Sequence, residues 1–371
     1  MDTQQIELMS GGPGSRTSLT LHRFGATLPG PKVTIQAALH ADEVPAILVA
    51  QQLRTRLMQL EAAGALLGCV QLVPYANPLG LTQHLFGQHQ GRFDLADGVN
   101  FNRQYADLGQ TVAAAVALAL GADAEANVRT IRAALRDAAA ALQAQHPAQD
   151  LKRKLLQIAI DSDVVLDLHC DSQAVMHLYA HSAHEAMASE LGALLGARAV
   201  LLAAESGDSP FDEACSRPWA VLQRSFPDYP VPAACFSPTL ELRGEADTHH
   251  GMAAHDADAI IEFLRRRGIV AGTPAPLPAP KCQATPLSGS ENIVAPRAGV
   301  VVFRCEPGDD VPADSVIADL VDADTGTIQS LRCQSAGVLY ARIATRWATP
   351  GKRLAKIAGT SLARTGKLLS P

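Results

Sequence analysis

Lys32 to Leu53 reads KVTIQAALHADEVPAILVAQQL, and the remainder of the chain takes its meaning from this stretch. The apolar, β-branched run Val33 to Leu39 predicts a buried parallel strand. His40, Asp42 and Glu43 follow at once, and Pro45 opens an apolar-periodic run that predicts a helix. Proline suits the first helical position, because the N–H it lacks has no partner there anyway. His40 and Glu43 therefore fall on a tight turn at the carboxyl end of a strand, where open α/β sheets place their ligands. An imidazole and a carboxylate spaced this way can grip one face of a divalent metal and leave another open. The same spacing also describes a surface turn with a solvated acid, so the decision rests on what lies downstream.

Composition bounds the class. A chain of 371 residues is long for one core, and two domains are expected. The hydrophobic share of 47% with 18% charged residues suits an ordinary soluble protein, and the net charge of −6 disfavours a nucleic-acid-binding surface. No uninterrupted apolar span predicts a membrane helix. The opening MDTQQIELMSGGPGSRTS lacks a basic segment followed by an apolar core, so no signal peptide is expected. Seven cysteines without CxxC spacing suggest free thiols in a reducing cytoplasm.

An opening strand is predicted from Ser18 to Phe24, and another within Cys69 to Leu81, ended by the turn signal Asn77-Pro78. Gly91 to Tyr105 is a polar loop rich in Asp, Asn and Gly, a type that often carries function. Within it Asn102 and Arg103 stand out, since a guanidinium offers a planar fork for a carboxylate, although a plain surface arginine fits too. Gln110 to Gln157 is Ala-rich with aliphatics at helical spacing and predicts two or three helices on one face of the sheet. Val164 to Leu168 predicts a buried strand with His169 at its carboxyl end, a natural third metal ligand beside His40 and Glu43. Asp167, on the same side of that strand, would orient the imidazole or bond a loop N–H. His177, His181 and His184 carry no assignment. A further strand around Pro238 to Leu242 carries Glu241 between two leucines, where a charge is costly unless paired or used. Glu241 reads as the general base for a water at the metal, or as an ion-pair partner of Arg243. Asp258 to Arg267 predicts the last helix of this part.

Gly272 to Ser290 is Pro/Ala-rich and reads as a semi-rigid linker. The expected division is therefore residues 1–271, the linker 272–290 and a β-rich unit 291–371. Within the last, Ala295–Arg304 answers Cys333–Arg342, a weak repeat that suggests two similar halves of short strands. This resembles the biotinyl/lipoyl barrel-sandwich hybrid fold. Carriers of that fold present a lysine on a hairpin tip. The corresponding turn here, Val321 to Gly326, has none, and a carrier role is rejected.

His40-x-x-Glu43, Asn77-Pro78, Asn102-Arg103, Asp167-Leu-His169 and Glu241 form an ordered set that resembles the succinylglutamate desuccinylase/aspartoacylase family of the zinc carboxypeptidase superfamily. The likeness spans roughly residues 30–265. It implies a three-layer α/β/α sandwich with a mixed sheet, followed by a small all-β hybrid domain. It also implies one zinc ion per chain held by His40, Glu43 and His169, a substrate carboxylate held by Arg103 with Asn102, and Glu241 as base. Three departures stand out. Ala41 replaces the glycine many relatives have, Leu79 follows Asn-Pro where aspartoacylase has arginine, and Gln104-Tyr105-Ala106 replaces a Phe-Pro-Gly turn. The second of these puts N-acetylaspartate in doubt as substrate. The expected activity is hydrolysis of a small N-acyl amino acid or related amide in the cytoplasm, by a protein that binds neither membrane nor nucleic acid and is a possible homo-oligomer. A metallocarboxypeptidase acting on short peptides and a non-catalytic binding module are the alternatives.

Overall fold

The computed structural model describes residues 1–369. Among these, nine strands form one mixed sheet: Asp2–Glu7 (β1), Ser18–Phe24 (β2), Lys32–Ala37 (β3), Cys69–Val73 (β4), Val164–Asp171 (β5), Met176–His181 (β6), Ala199–Ala203 (β7), Thr239–Gly244 (β8) and Ala284–Pro286 (β9). Their order is β1-β2-β4-β3-β5-β8-β6-β7-β9. The centre, β4-β3-β5-β8, is parallel, while β8 meets β6 antiparallel.

Residue alternation divides the two faces. Val33, Ile35, Leu166, Leu168, Leu240 and Leu242 pack on one side with the helices Pro45–Ala62 (α1), Glu185–Leu195 (α5) and His250–Arg266 (α7). The opposite side carries Gly109–Val116 (α2), Ala124–Ala141 (α3), Pro147–Ala159 (α4) and Phe211–Ser225 (α6), with their own core around Val112, Ile131, Leu151 and Leu222. The result is the three-layer α/β/α sandwich. The same period of two delivers Gln36, Asp167, His169, Thr239 and Glu241 to the α2/α6 side, so the sheet that builds two apolar cores also aligns the polar residues.

The C-terminal part folds as two small antiparallel sheets from Glu291–Val294 (β10), Gly299–Phe303 (β11), Val316–Val321 (β12), Ile328–Arg332 (β13), Gly337–Arg342 (β14) and Arg353–Ala358 (β15). Ile293, Val301, Ile317, Leu339 and Leu354 give it a separate core. It is fastened to the large sheet beside β5. Gln173–Ala174 pairs with β14, and Lys356 of β15 forms an ion pair with Asp171.

Several boundaries differ from expectation. β3 ends at Ala37 because Ala38 turns left-handed, with φ of 60°. β5 continues to Asp171, which puts His169 inside the strand rather than at its tip. The last helix starts at His250, where the His249 ring accepts a hydrogen bond from Gly251 N–H. The stretch 272–290 is not linker throughout. Ala284–Pro286 adds to β7 at the sheet edge, a place where proline costs no ladder bond.

Candidate active site

The left-handed Ala38, a backbone state costly for a side chain, ends the strand and lets residues 40–43 cross the carboxyl edge of the sheet. A polar loop lies directly on this turn. Ala41 N–H donates to Gly91 O at 3.0 Å, and a Cβ on Gly91 would sit 2.0 Å from Asp42 N, so the close approach requires glycine.

His40, Glu43 and His169 meet there, all buried, with their ligand atoms within 4.8 Å of one another. Glu43 lies between the rings: Oε1 is 2.9 Å from His40 Nδ1 and Oε2 is 2.8 Å from His169 Nδ1. The far nitrogen of each ring is fixed by another group. His40 Nε2–H donates to Asn100 Oδ1 at 2.8 Å, and the N–H of Asn102 donates to the same oxygen, which marks it as the acceptor. His169 Nε2–H donates to Asp167 Oδ2 at 2.8 Å, and Gln36 donates to the other Asp167 oxygen. Both rings therefore turn Nδ1 towards Glu43, and the outer partners hold the orientation that ligating histidines need. Two imidazole nitrogens and a carboxylate, converging with their outer bonds satisfied, make a donor set that fits a divalent transition metal.

Electrostatics agrees with the geometry. Burial works against charge on His169, but Asp167 and Glu43 outweigh it and hold the ring well above its ordinary pKa. Burial likewise opposes ionisation of Glu43, and the two histidines override it and lower its pKa. His40 goes the other way, lowered by burial and by Arg92. A metal bound at His169 Nδ1 would thus displace a proton.

Glu241 stands beside this cluster, register-paired with His169. Its Oε2 is buried without a hydrogen-bond partner, and burial, Glu43 and Asp171 push the carboxyl up to about 8. The alternative ion pair with Arg243 does not form. After Glu241 the ladder to β5 shifts, Arg243 takes φ of 71°, and its guanidinium turns to Asp256 on α7.

Asn102 and Arg103 are both buried. Asn102 Nδ2 lies 3.5 Å from the His169 ring, and Asn102 Oδ1 accepts from Phe211 N–H at 2.9 Å, at the head of α6. His40, Glu43, Asn102, Arg103, His169 and Glu241 all line one cavity of about 590 Å³. The sequence-expected set is therefore brought together in one place. Four further residues in or behind the cavity wall escaped the sequence reading. Arg92 donates from Nη1 to Glu43 Oε1 at 3.1 Å, and Asn100 fixes His40, both from the loop already singled out. Asp212 on α6 and Lys356 on β15 carry no signal in the sequence, since only tertiary packing brings them to this wall.

Comparison with known proteins places this architecture. The catalytic domain of succinylglutamate desuccinylase/aspartoacylase matches residues 29–222, more than half of the chain. The chain belongs to that family. A succinylglutamate desuccinylase/aspartoacylase family protein from Shewanella amazonensis is 28% identical with a TM-score of 0.85, covering 96% of this chain and 98% of its own. One from Shewanella frigidimarina is 25% identical with a TM-score of 0.85, covering 97% of each chain. The product-bound ectoine utilization protein EutE (DoeB) from Ruegeria pomeroyi shares the fold at 16% identity and a TM-score of 0.67, covering 97% of this chain and 95% of its own. No curated protein matches the sequence. The family is one of deacylase-type hydrolases, the fold is the zinc carboxypeptidase-like one, and no helix among the described residues is long and apolar enough to cross a membrane.

Proposed function

We propose that the protein is a zinc-dependent hydrolase of the amide bond in a small N-acyl amino acid or related carboxylate-bearing amide. The observation that carries this reading is the convergence of two oriented imidazoles and Glu43 beside Glu241, whose buried oxygen has no other partner. His40, Glu43 and His169 would hold one zinc ion per chain. Such an ion, when bound, polarises an amide carbonyl and lowers the pKa of water to about 7. Glu241 takes the proton of the attacking water at its carboxylate and passes it to the leaving nitrogen. A pKa near the working pH suits a group that must both accept and return a proton. Arg103 engages the substrate carboxylate and Asn102 fixes the loop that presents it, which turns binding into orientation. We place the protein in the cytoplasm, acting on small molecules.

The C-terminal sheets favour a small amide over a peptide. Arg342, Lys352, Arg353 and Lys356 wall the same cavity, where a metallocarboxypeptidase would need an open cleft.

The test is metal analysis of the purified protein with a screen of N-acyl amino acids, repeated for Glu241→Gln. Zinc near one per chain in both proteins, with turnover in the native protein and a loss of about 10²–10⁴-fold in the variant, supports the reading. Turnover that survives in Glu241→Gln means that the base is another residue.

A further inference from the structure

Asp212 is a cavity-wall residue with one buried oxygen, Oδ1, that has no hydrogen-bond partner, while Thr239 and the Glu213 N–H lie beside its carboxylate. A buried acceptor left open is costly, so its presence in a ligand cavity calls for a donor.

Its position is not incidental. Two loops are laced together in front of the sheet. Gln104 N–H donates to Asp208 O at 2.8 Å, Tyr105 N–H to Ser209 O at 3.0 Å, and Phe211 N–H to Asn102 Oδ1 at 2.9 Å. Gln104, Asp208 and Ser209 all adopt positive φ, at 60°, 61° and 49°. Three strained non-glycine residues in one lacing mark a geometry kept at a cost. What it fixes is the placement of Arg103 against Asp212, near enough that the Asp212 charge acts on the guanidinium.

An α-amino acid carries its carboxylate and its nitrogen on the same carbon. A residue that binds the one leaves the other a short step away. Resting on the reading of Arg103 given above, we propose that Asp212 is a specificity-determining residue that accepts a hydrogen bond from the scissile amide N–H and then from the released amine. The class of substrate is thereby narrowed to secondary amides of α-amino acids, with esters and N-alkylated amides disfavoured. When the C–N bond breaks, the nitrogen keeps its hydrogen, gains the water's proton through Glu241 and takes another from solvent, so that an ammonium faces Asp212. Burial, Glu213 and Asp167 push Asp212 up to about 7, and a cationic partner relieves that cost.

The experiment measures binding of L-glutamate, L-aspartate and L-leucine, each against its des-amino acid, by calorimetry on native and Asp212→Asn protein. In the native protein at least one amino acid binds about tenfold more tightly than its des-amino analogue. In Asp212→Asn that preference falls to within about threefold, with the affinity for the des-amino acid unchanged. Equal affinities in the native protein, or equal losses for both ligands in the variant, overturn the proposal. Should Asp212→Asn fail to fold, the native comparison still decides, supplemented by turnover of an N-acetyl amino acid against the same compound methylated on its scissile nitrogen. Absence of any amide hydrolysis in the native protein would instead count against the hydrolase reading, a result distinct from a missing amine preference.

Discussion

Glu241 has a histidine as register partner on each side, His169 on β5 and His177 on β6, and the two rings differ in almost every chemical respect. Both are buried. His169 has a carboxylate at each nitrogen, Glu43 and Asp167, and keeps a proton well beyond the usual range. His177 donates from Nδ1 to Val175 O at 2.8 Å, leaves Nε2 without a partner, and packs against Tyr179 and Tyr340. With burial dominant there, its pKa falls to about 4. A strand gives a histidine its place, whereas the acids within reach decide whether it keeps its proton.

The contrast is tested most severely by deletion. His169→Ala removes one donor and leaves Glu43 and Asp167 facing each other across a buried gap. Metal content measured by mass spectrometry is expected to drop to near zero and turnover to background, whereas His177→Ala retains both. Loss of metal in the His177 variant instead would mean that the ligand set has been drawn on the wrong side of Glu241.

A smaller effect is expected one bond further out. Asp167→Asn preserves shape but loses the charge that fixes the His169 ring. Removal of such an outer partner typically costs about 10–100-fold in metal affinity. Chelator competition reads this directly, and an unchanged affinity would reduce Asp167 to a bystander held by Gln36.

How much of this was readable beforehand differs between framework and wall. The β-branched run at Val33, the aliphatic stripe of α1 and the leucines flanking Glu241 carry their period in the chain, so the central sheet and its polar face were legible. So were His40, Glu43, His169 and Glu241, because each follows or interrupts an apolar strand. Strand ends were less so, since the left-handed Ala38 has no signature in an alanine. β1 is exposed along most of its length and shows no buried alternation, which hid it. β9 was concealed by prolines that only an edge position tolerates. Asp212 and Lys356 belong to the wall by tertiary packing, with nothing local to mark them.

The gentlest test concerns His177 alone. Its folded pKa of about 4 lies below the ordinary value of 6.5, so unfolding takes up a proton between those limits. Stability from the neutral buried ring is complete above pH 6.5 and drains away as pH falls through 4. At most this amounts to about 3 kcal/mol. His177→Phe keeps a ring against Tyr179 and Tyr340 but cannot titrate. It loses the bond to Val175 O, which costs about 1 kcal/mol at any pH. Urea midpoints of metal-free native and variant protein at pH 7, 5.5 and 4.5 should therefore converge or cross as the solution is acidified, with the variant less stable only near neutrality. A difference that stays constant across the three pH values would mean that the ring titrates alike in the folded and unfolded protein, and that burial beside Glu241 does not hold it neutral.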